Sequence, residues 1–517
     1  MRAFPSKLTA MEKANATREH VLELLEEAHS LDQDVIRRIS AETGVPEADV
    51  YGTARFYDLL VRPGPRVCQG LSCKLAGSDG LTASLEESEG EHHRVSCLGQ
   101  CDRAPVALDA DMQLSAAAPR GGVTPDNPNL PMNLAGKDSA AYEALAKARS
   151  MGGEWVIERL KEAGLQGRGG AGFPAHFKWN AVREQAEPLH YVVCNADEAE
   201  PGTFKDREIM LRRPHLVLEG LAIAAYAVKA SDIYIYVRGE FPEERASLER
   251  ARAEAGSVLD DVNVHLVAGH GAYICGEETA LLESIEGRRG MPRLKPPYPT
   301  VQGLFGKPTL INNVETLACV PSILLRGAEW FREQGGTEPG SKLYCVSGHV
   351  QTPGVYELPL GASLDDVVAA AGGYVGTPQA FSPGGASSGF LPISERERPL
   401  DFRGLPKVGS MLGSAGVVVL NDTVDMAWAA RWQAVFFEDE TCGQCAPCRI
   451  GVRWVRMAVD RYLESGDPKH FQHLDDVAWE MDEGSICGLG MTAAMSVTSA
   501  RKHFPKAFGP REGGNNG

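Results

Sequence analysis

Three cysteines separated by two residues each, Cys442, Cys445 and Cys448, and a fourth at Cys487 in Ser485-Ile486-Cys487-Gly488-Leu489-Gly490 constrain this chain more than any other feature. Three thiolates at that spacing can wrap one corner of a cubane, and a distant fourth closes it. This is the ligand count of a 4Fe–4S cluster. A structural zinc also accepts four thiolates, usually as two separated pairs. Upstream, Cys68 and Cys73 have four residues between them, and Cys97 and Cys101 have three. Each pair lies in a loop beside a short apolar run. Two such pairs suit a 2Fe–2S cluster with one pair per iron, and zinc competes more strongly here than at the C-terminal group. The remaining cysteines, Cys194, Cys275, Cys319 and Cys345, have no metal-like spacing and read as buried small apolar groups.

A chain of 517 residues is too long for one ordinary core, so three to five domains are expected. The net charge of −17 argues against a nucleic-acid or anionic-membrane partner. The most apolar segment, Leu216 to Val228, is short and carries Glu219, so no membrane span is expected. Met1 to His20 has no hydrophobic signal core. The reading is a cytoplasmic protein whose cysteines are thiols or metal ligands rather than disulfides.

Along the chain, 1–62 reads as a helical segment, with Val21, Leu24, Leu25, Ala28, Leu31, Val35, Ile36 and Ile39 at three- and four-residue steps. Gly44 is a stop and Pro46 opens the next helix. Residues 63–118 change to short apolar runs with turns, a small α/β domain, and 119–150 begins with a Pro- and Gly-rich stretch and reads as a linker. A larger α/β domain spans 151–336. Tyr191–Cys194, Ile233–Val237 and Val262–Val267 look like buried strands, with a helix at Leu216–Lys229, which favours a parallel sheet. Residues 337–422 read as a β-rich domain with one helix near Leu364–Ala371, and 423–508 as helical. The 509–517 tail reads as disordered.

The stretch Gly167-Arg168-Gly169-Gly170-Ala171-Gly172-Phe173-Pro174 has the spacing G-x-G-x-x-G, which can lay backbone against a phosphate or a flat ring. It leaves a helix (Trp155, Ile157, Leu160 and Ala163 at helical spacing), whereas the dinucleotide fingerprint follows a strand. Spacing alone therefore also suits a plain glycine turn. Two acidic patches accompany it: Asn195 to Gly202 after one strand, and Tyr273 to Thr279 after another. Carboxylates at such strand ends could accept hydrogen bonds from ribose hydroxyls and repel a 2′-phosphate. They could equally cap helices.

These residues sit in long words that resemble a known family. GRGGAGFP, CNADEAEPGTFKDRE, GAYICGEETALLESIEGRRG, RLKPPYP, GKPTLINNVETL and CGQCAPCRIG with SICGLG resemble the NADH-binding flavoprotein subunit of respiratory complex I and its relatives in bidirectional hydrogenases and NAD-dependent formate dehydrogenases. VYGTARFYDLL, the two cysteine pairs and the APVALD run resemble the thioredoxin-like 2Fe–2S subunit. The fusion, with PGGASSGFLP and FFEDETCGQC, looks most like the β subunit of a molybdenum- or tungsten-dependent formate dehydrogenase. The resemblance implies a multidomain α/β chain: N-terminal helices plus a thioredoxin-like domain, a Rossmann-like FMN/NADH domain, a β-grasp domain and a C-terminal helical bundle.

It also implies FMN against Gly167, Arg168, Gly169, Gly170 and Lys178, with Asn195, Asp197, Tyr273, Gly276, Glu277, Asn312, Asn313 and Thr316 completing that site. Glu198, Glu200, Glu278 and Lys295 would hold NADH, and Phe173 and Tyr298 would stack on it. This chain has Ala175-His176 where the family often has Thr-Gly, and Ala181 where a second aromatic often stands. The 2Fe–2S cluster would take Cys68, Cys73, Cys97 and Cys101, and the 4Fe–4S cluster Cys442, Cys445, Cys448 and Cys487. The implied function is electron transfer between iron–sulfur clusters, FMN and NAD(H), beside a larger molybdenum or tungsten catalytic subunit. A diaphorase subunit of a hydrogenase or of complex I is the alternative, and a nucleotide-binding iron–sulfur sensor the non-enzymatic one.

Overall fold

Apolar runs such as Tyr191-Val192-Val193-Cys194 need cover on both faces, which a parallel sheet flanked by helices provides. The computed structural model, which describes residues 10–28, 30–61, 64–88 and 92–511, has this arrangement at its centre. Four parallel strands run in the order Asn263–Ala268, Asp232–Val237, Tyr191–Ala196, Thr309–Asn313. The fourth was legible only as part of a motif word: Thr309–Asn313 is short and carries two asparagines, so its strand character comes from pairing with Tyr191–Asn195. The Tyr191 strand also extends through Ala196, so Asn195 lies within it rather than after it. The helix Pro214–Val228, buried along almost its whole length, packs on this sheet and on the helix Val314–Arg326.

The small α/β domain is a mixed sheet of three-residue strands, ordered His93–Val95, Arg66–Cys68, Val106–Leu108, Leu114–Ala116. Its buried core consists of Cys68, Cys73, Val95, Leu98, Val106 and Leu108. So small a core is marginal alone, and the domain leans on its neighbours. The N-terminal helices Ala10–Ala28, Gln33–Thr43, Glu47–Phe56 and Asp58–Val61 share a core with the C-terminal bundle and with the helix Glu278–Ile285. Gly44 ends its helix in the left-handed conformation, φ 73°, as its place in the sequence suggests.

The β-rich domain holds a six-stranded mixed sheet: Leu391–Pro392, Pro378–Ser382, Gly416–Asn421, Ser341–Gly348, Gly354–Pro359 and, at the edge, Gly122–Val123. The 119–150 stretch thus contributes a strand to this sheet, and it also forms the helix Glu143–Met151. The C-terminal bundle comprises Met426–Glu440, Ala446–Ser465, Leu474–Gly484, Gly488–Thr492 and Met495–His503. The start of the expected disordered tail is tied down: Tyr462 donates to Gly509 O at 2.8 Å, and Arg511 donates to Asp425 at 2.7 Å. The rest of that expectation, and residues 1–9 of the one about Met1 to His20, fall outside the described residues. Among the described residues no helix is long and apolar enough to cross a membrane.

Candidate functional site

Because the four central strands are parallel, their C-terminal ends open on one edge, where α/β sheets bind ligands. The loop Asp197–Pro201, Arg238, the 3₁₀ turn Tyr273–Gly276 and Asn313 all lie there. The glycine loop arrives from the helix Gly153–Ala163 and opens the helix Ala175–Arg183. It is closed on itself by Gly167 N–H donating to Phe173 O at 2.8 Å. Gly169 approaches Asn313 so closely that a Cβ would lie 2.9 Å from the Asn313 Cβ, and Gly170 has φ 152° and faces open space. Only glycine meets both requirements without strain.

A cavity of about 580 Å³ lies between this loop and the strand ends. From the expected site it is lined by Gly169, Gly170, Asn195, Asp197, Glu198, Glu200, Tyr273, Gly276, Glu277 and Asn313. Gly167, Arg168, Asn312 and Thr316 stand behind the wall. Arg168 is fully buried: its backbone N–H donates to Thr316 Oγ1 at 2.8 Å and its guanidinium to Pro339 O at 2.9 Å. Asn312 accepts from Trp179 Nε1 at 2.9 Å.

The acidic patches divide by role. Glu198 accepts from the N–H groups of Asp206 and Arg207 at 2.9 and 3.0 Å, and so caps the helix Lys205–Arg212. Glu277 caps the helix Glu278–Ile285 through Thr279 and Ala280. Glu200 is held instead by the Tyr273 hydroxyl and by Ser387 N–H at 2.8 Å. Burial pushes the Glu198 carboxyl up to about 7 and raises Glu200 and Asp197 above the carboxylate range, Asp197 strongly. Asp197 Oδ2 is buried and has no protein partner, the condition of a group waiting for a ligand's donor.

Lys178, Glu278 and Lys295 form a second cluster, outside the cavity lining. Glu278 takes Lys178 at 2.7 Å and Lys295 at 2.8 Å, and Lys295 also reaches Glu277 at 2.9 Å. Burial alone would raise Glu278, but the two ammonium groups outweigh it and hold it below the usual range. Phe173 and Tyr298 are 49% and 56% exposed, so both rings are open to solvent. Phe177, 58% exposed and 6.2 Å from Phe173 between ring centroids, joins them on the turn before Ala181.

The cysteines gather as the spacing requires. Cys68, Cys73, Cys97 and Cys101 are buried, and their thiols lie close enough to perturb one another, Cys68 acting on both Cys73 and Cys97, and Cys97 on Cys101. Cys445 stands at the residue before the helix Ala446–Ser465, Cys487 at the residue before Gly488–Thr492, and Cys445 Sγ accepts from Ile486 N–H at 3.4 Å. Among the described residues no three Cys, His, Asp or Glu side chains converge on a point that could hold one metal ion. The four scattered cysteines are buried, as read.

Four family models match the chain: "Thioredoxin-like [2Fe-2S] ferredoxin" over residues 8–119, "Nuo51 FMN-binding domain" over 160–322, "SLBB domain" over 343–391 and "NADH-ubiquinone oxidoreductase-F iron-sulfur binding region" over 428–511. The second NADH-quinone oxidoreductase-F protein of Rhizobium meliloti is 48% identical over 387 residues, covering 71% of this chain and 91% of the relative. The chain belongs to the NADH-quinone oxidoreductase-F family. The member of Mycobacterium tuberculosis is 45% identical over 382 residues, 70% of this chain and 86% of that one. Crystal structures of an NAD⁺-reducing [NiFe]-hydrogenase superpose with TM-scores of 0.86 (H2-reduced) and 0.87 (air-oxidized) at 31% identity. The first covers 94% of this chain and 91% of its own, the second 98% and 96%.

Membership of the oxidoreductase-F family, with the thioredoxin-like, FMN-binding and iron–sulfur regions, makes this an NADH-binding oxidoreductase subunit that uses FMN, a 2Fe–2S and a 4Fe–4S cluster. The residues present fit those groups: glycine backbone open to a flat ring, an orphaned carboxyl oxygen, and two sets of four cysteines, one buried in the small domain and one at the starts of two helices of the bundle. Sequence reasoning missed several cavity residues. Thr203, Lys205 and Asp206 come from the second half of an acidic word, Gly384 and Ser387 from PGGASSGFLP, and Gly488 and Leu489 from SICGLG. The words held them, but only the packing of three domains brings them to one wall.

Proposed function

We propose that the chain is the diaphorase subunit of an NAD-dependent formate dehydrogenase, passing electrons between NAD⁺/NADH and a larger molybdenum- or tungsten-containing iron–sulfur subunit. The observation that carries the electron-transfer reading is the position of the cavity between two cysteine sets. Gly488, Leu489 and Thr492, directly after Cys487, line it. On another side, Cys97 and Cys101 lie against the Glu198–Gly202 loop that also lines it. FMN bound there supplies the exchange between two-electron chemistry at nicotinamide and one-electron chemistry at clusters.

In this reading Gly169 and Gly170 lie against the flavin, while Gly167, Arg168, Asn312 and Thr316 hold that loop and its helix from behind. Asn195, Asp197, Tyr273, Gly276, Glu277 and Asn313 fix the ring system, with Asp197 Oδ2 free to accept a donor. Glu198, Glu200, Glu278 and Lys295 surround the nucleotide, Lys178, which the resemblance puts against FMN, is tied to them by its ion pair with Glu278, and Phe173 and Tyr298 offer the nucleotide faces. The chain's work is to orient nicotinamide on the flavin and to exclude water; no side chain need act as acid or base.

Support for a formate-oxidising partner comes from the words PGGASSGFLP and FFEDETCGQC. The likeness to an NAD⁺-reducing hydrogenase over nearly the whole chain favours a second reading, a nickel–iron partner. Purification with the native partner decides. Molybdenum or tungsten, with formate-dependent NAD⁺ reduction that is lost when FMN is stripped, supports the first. Nickel and hydrogen-dependent reduction would replace it with the second. The chain alone should reduce dyes with NADH and never oxidise formate; a chain that binds NADH but reduces no dye would favour a sensor.

A further inference from the structure

Two buried arginines of the flavin domain reach into the loop that carries Cys97 and Cys101. Arg238 stands at the end of the strand Asp232–Val237. Its Nη2 donates to Cys97 O at 2.7 Å and its Nη1 to Glu198 O at 2.9 Å, so one guanidinium spans the cysteine loop and the cavity loop. Its counter-charge is Glu240, at 2.9 and 3.2 Å. Arg207 donates to Gly99 O at 3.0 Å within the same cysteine loop, but its charge is matched by Asp102 and Glu208. Gly99 N–H donates to Cys97 Sγ at 3.3 Å, and a backbone hydrogen bond from Gly202, in the cavity loop, reaches Cys101.

We propose that Arg238 is a positioning residue that sets the reduction potential of the 2Fe–2S cluster from its Cys97–Cys101 side while tying that side to the cavity loop. A cluster that takes one electron gains negative charge. A buried cation beside it, together with the Gly99 and Gly202 N–H groups that reach Cys97 and Cys101, stabilises the reduced form and raises the potential. Arg238 and Glu240 act in opposite senses on the same cluster, and neither contacts the second cysteine set in any hydrogen bond or ion pair of the described residues. The inference rests on the cluster assignment above and goes beyond it.

The test is a potentiometric titration followed by low-temperature EPR on the full chain, with the 4Fe–4S signal as internal reference. Arg238→Gln should lower the 2Fe–2S midpoint by at least 59 mV, a tenfold change for a one-electron couple. Glu240→Gln should raise it, and Arg238→Lys should recover most of the loss. The 4Fe–4S midpoint should stay in place in all three. Midpoints that do not move, that move the same way in the Gln variants, or that move equally for both clusters overturn the role of Arg238. If Arg238→Gln does not fold, Glu240→Gln alone decides: a raised midpoint supports the proposal and an unmoved one refutes it. A native chain with no 2Fe–2S signal would sink the cluster assignment itself, a separate failure.

Discussion

Arg207→Met should loosen the docking of the 2Fe–2S domain, and the size of the effect follows from what it leaves behind. Arg207 is fully buried and holds both oxygens of Asp102, at 3.0 and 2.9 Å. Without it Asp102 keeps only Gly121 N–H, at 2.8 Å. Glu208, its other partner, keeps Arg120 at 3.0 Å and Arg212 at 2.6 Å. The cost therefore falls mainly on one buried carboxylate, with Gly99 O and Gln100 Oε1 also losing a donor, and breaking such a pair from one side costs about 3–5 kcal/mol. At about 1.4 kcal/mol per factor of ten, local opening should rise on the order of a hundred- to a thousand-fold. Amide hydrogen exchange at Leu98–Asp102 and along Lys205–Arg212 reads that opening directly. The double variant Asp102→Leu, Arg207→Met should regain most of the protection, because an apolar pair in place of a buried ion pair is often near neutral. A single variant that costs under about 1 kcal/mol, or a double variant worse than the single, would show that this network does not hold the domain.

Cys445→Ser should remove the 4Fe–4S EPR signal and electron delivery to the partner while leaving NADH-dependent bleaching of the flavin; loss of bleaching as well would contradict the order of carriers. Cys97→Ser should remove only the 2Fe–2S signal. Glu278→Gln should narrow the preference for NADH over NADPH at least tenfold in kcat/KM, since a carboxylate beside the nucleotide repels the extra phosphate; an unchanged ratio would place Glu278 away from it. Burial raises Glu244 to about 7. Its contribution to stability is complete below the unfolded value near 4.5 and is lost as pH rises through 7, amounting to about 2 kcal/mol between pH 5.5 and 7.5. Urea titrations of native and Glu244→Gln chains should show that slope in the first and its loss in the second.

Local sequence determined a good deal here. Cysteine spacing announced two cysteine sets, apolar runs announced a parallel sheet, and a helix was expected near Leu364–Ala371, where the structure has Leu364–Ala370 opened by a capping box of Ser363 and Asp366. These are short-range properties, set by chain geometry within a few residues. Other features had no local signature. Thr309–Asn313 is a strand because Tyr191–Asn195 offers it hydrogen bonds, and Gly122–Val123 because Gly354–Val355 does. Of the acidic residues, Glu198 and Glu277 turned to cap helices while Glu200 was claimed by Tyr273 and Ser387. Sequence could name both possibilities for each glutamate, but the choice depends on which N–H groups arrive beside it. The placement of the Cys97–Cys101 loop is the strongest case. A hundred residues separate it from the cavity loop, and its position there rests on Arg207 and Arg238, two arginines whose partners are mostly backbone carbonyls and carboxylates from distant segments. Composition and spacing could supply the charges and the thiols; only the packed interior, where an unpaired charge is too costly to leave, decided that they meet beside the cavity.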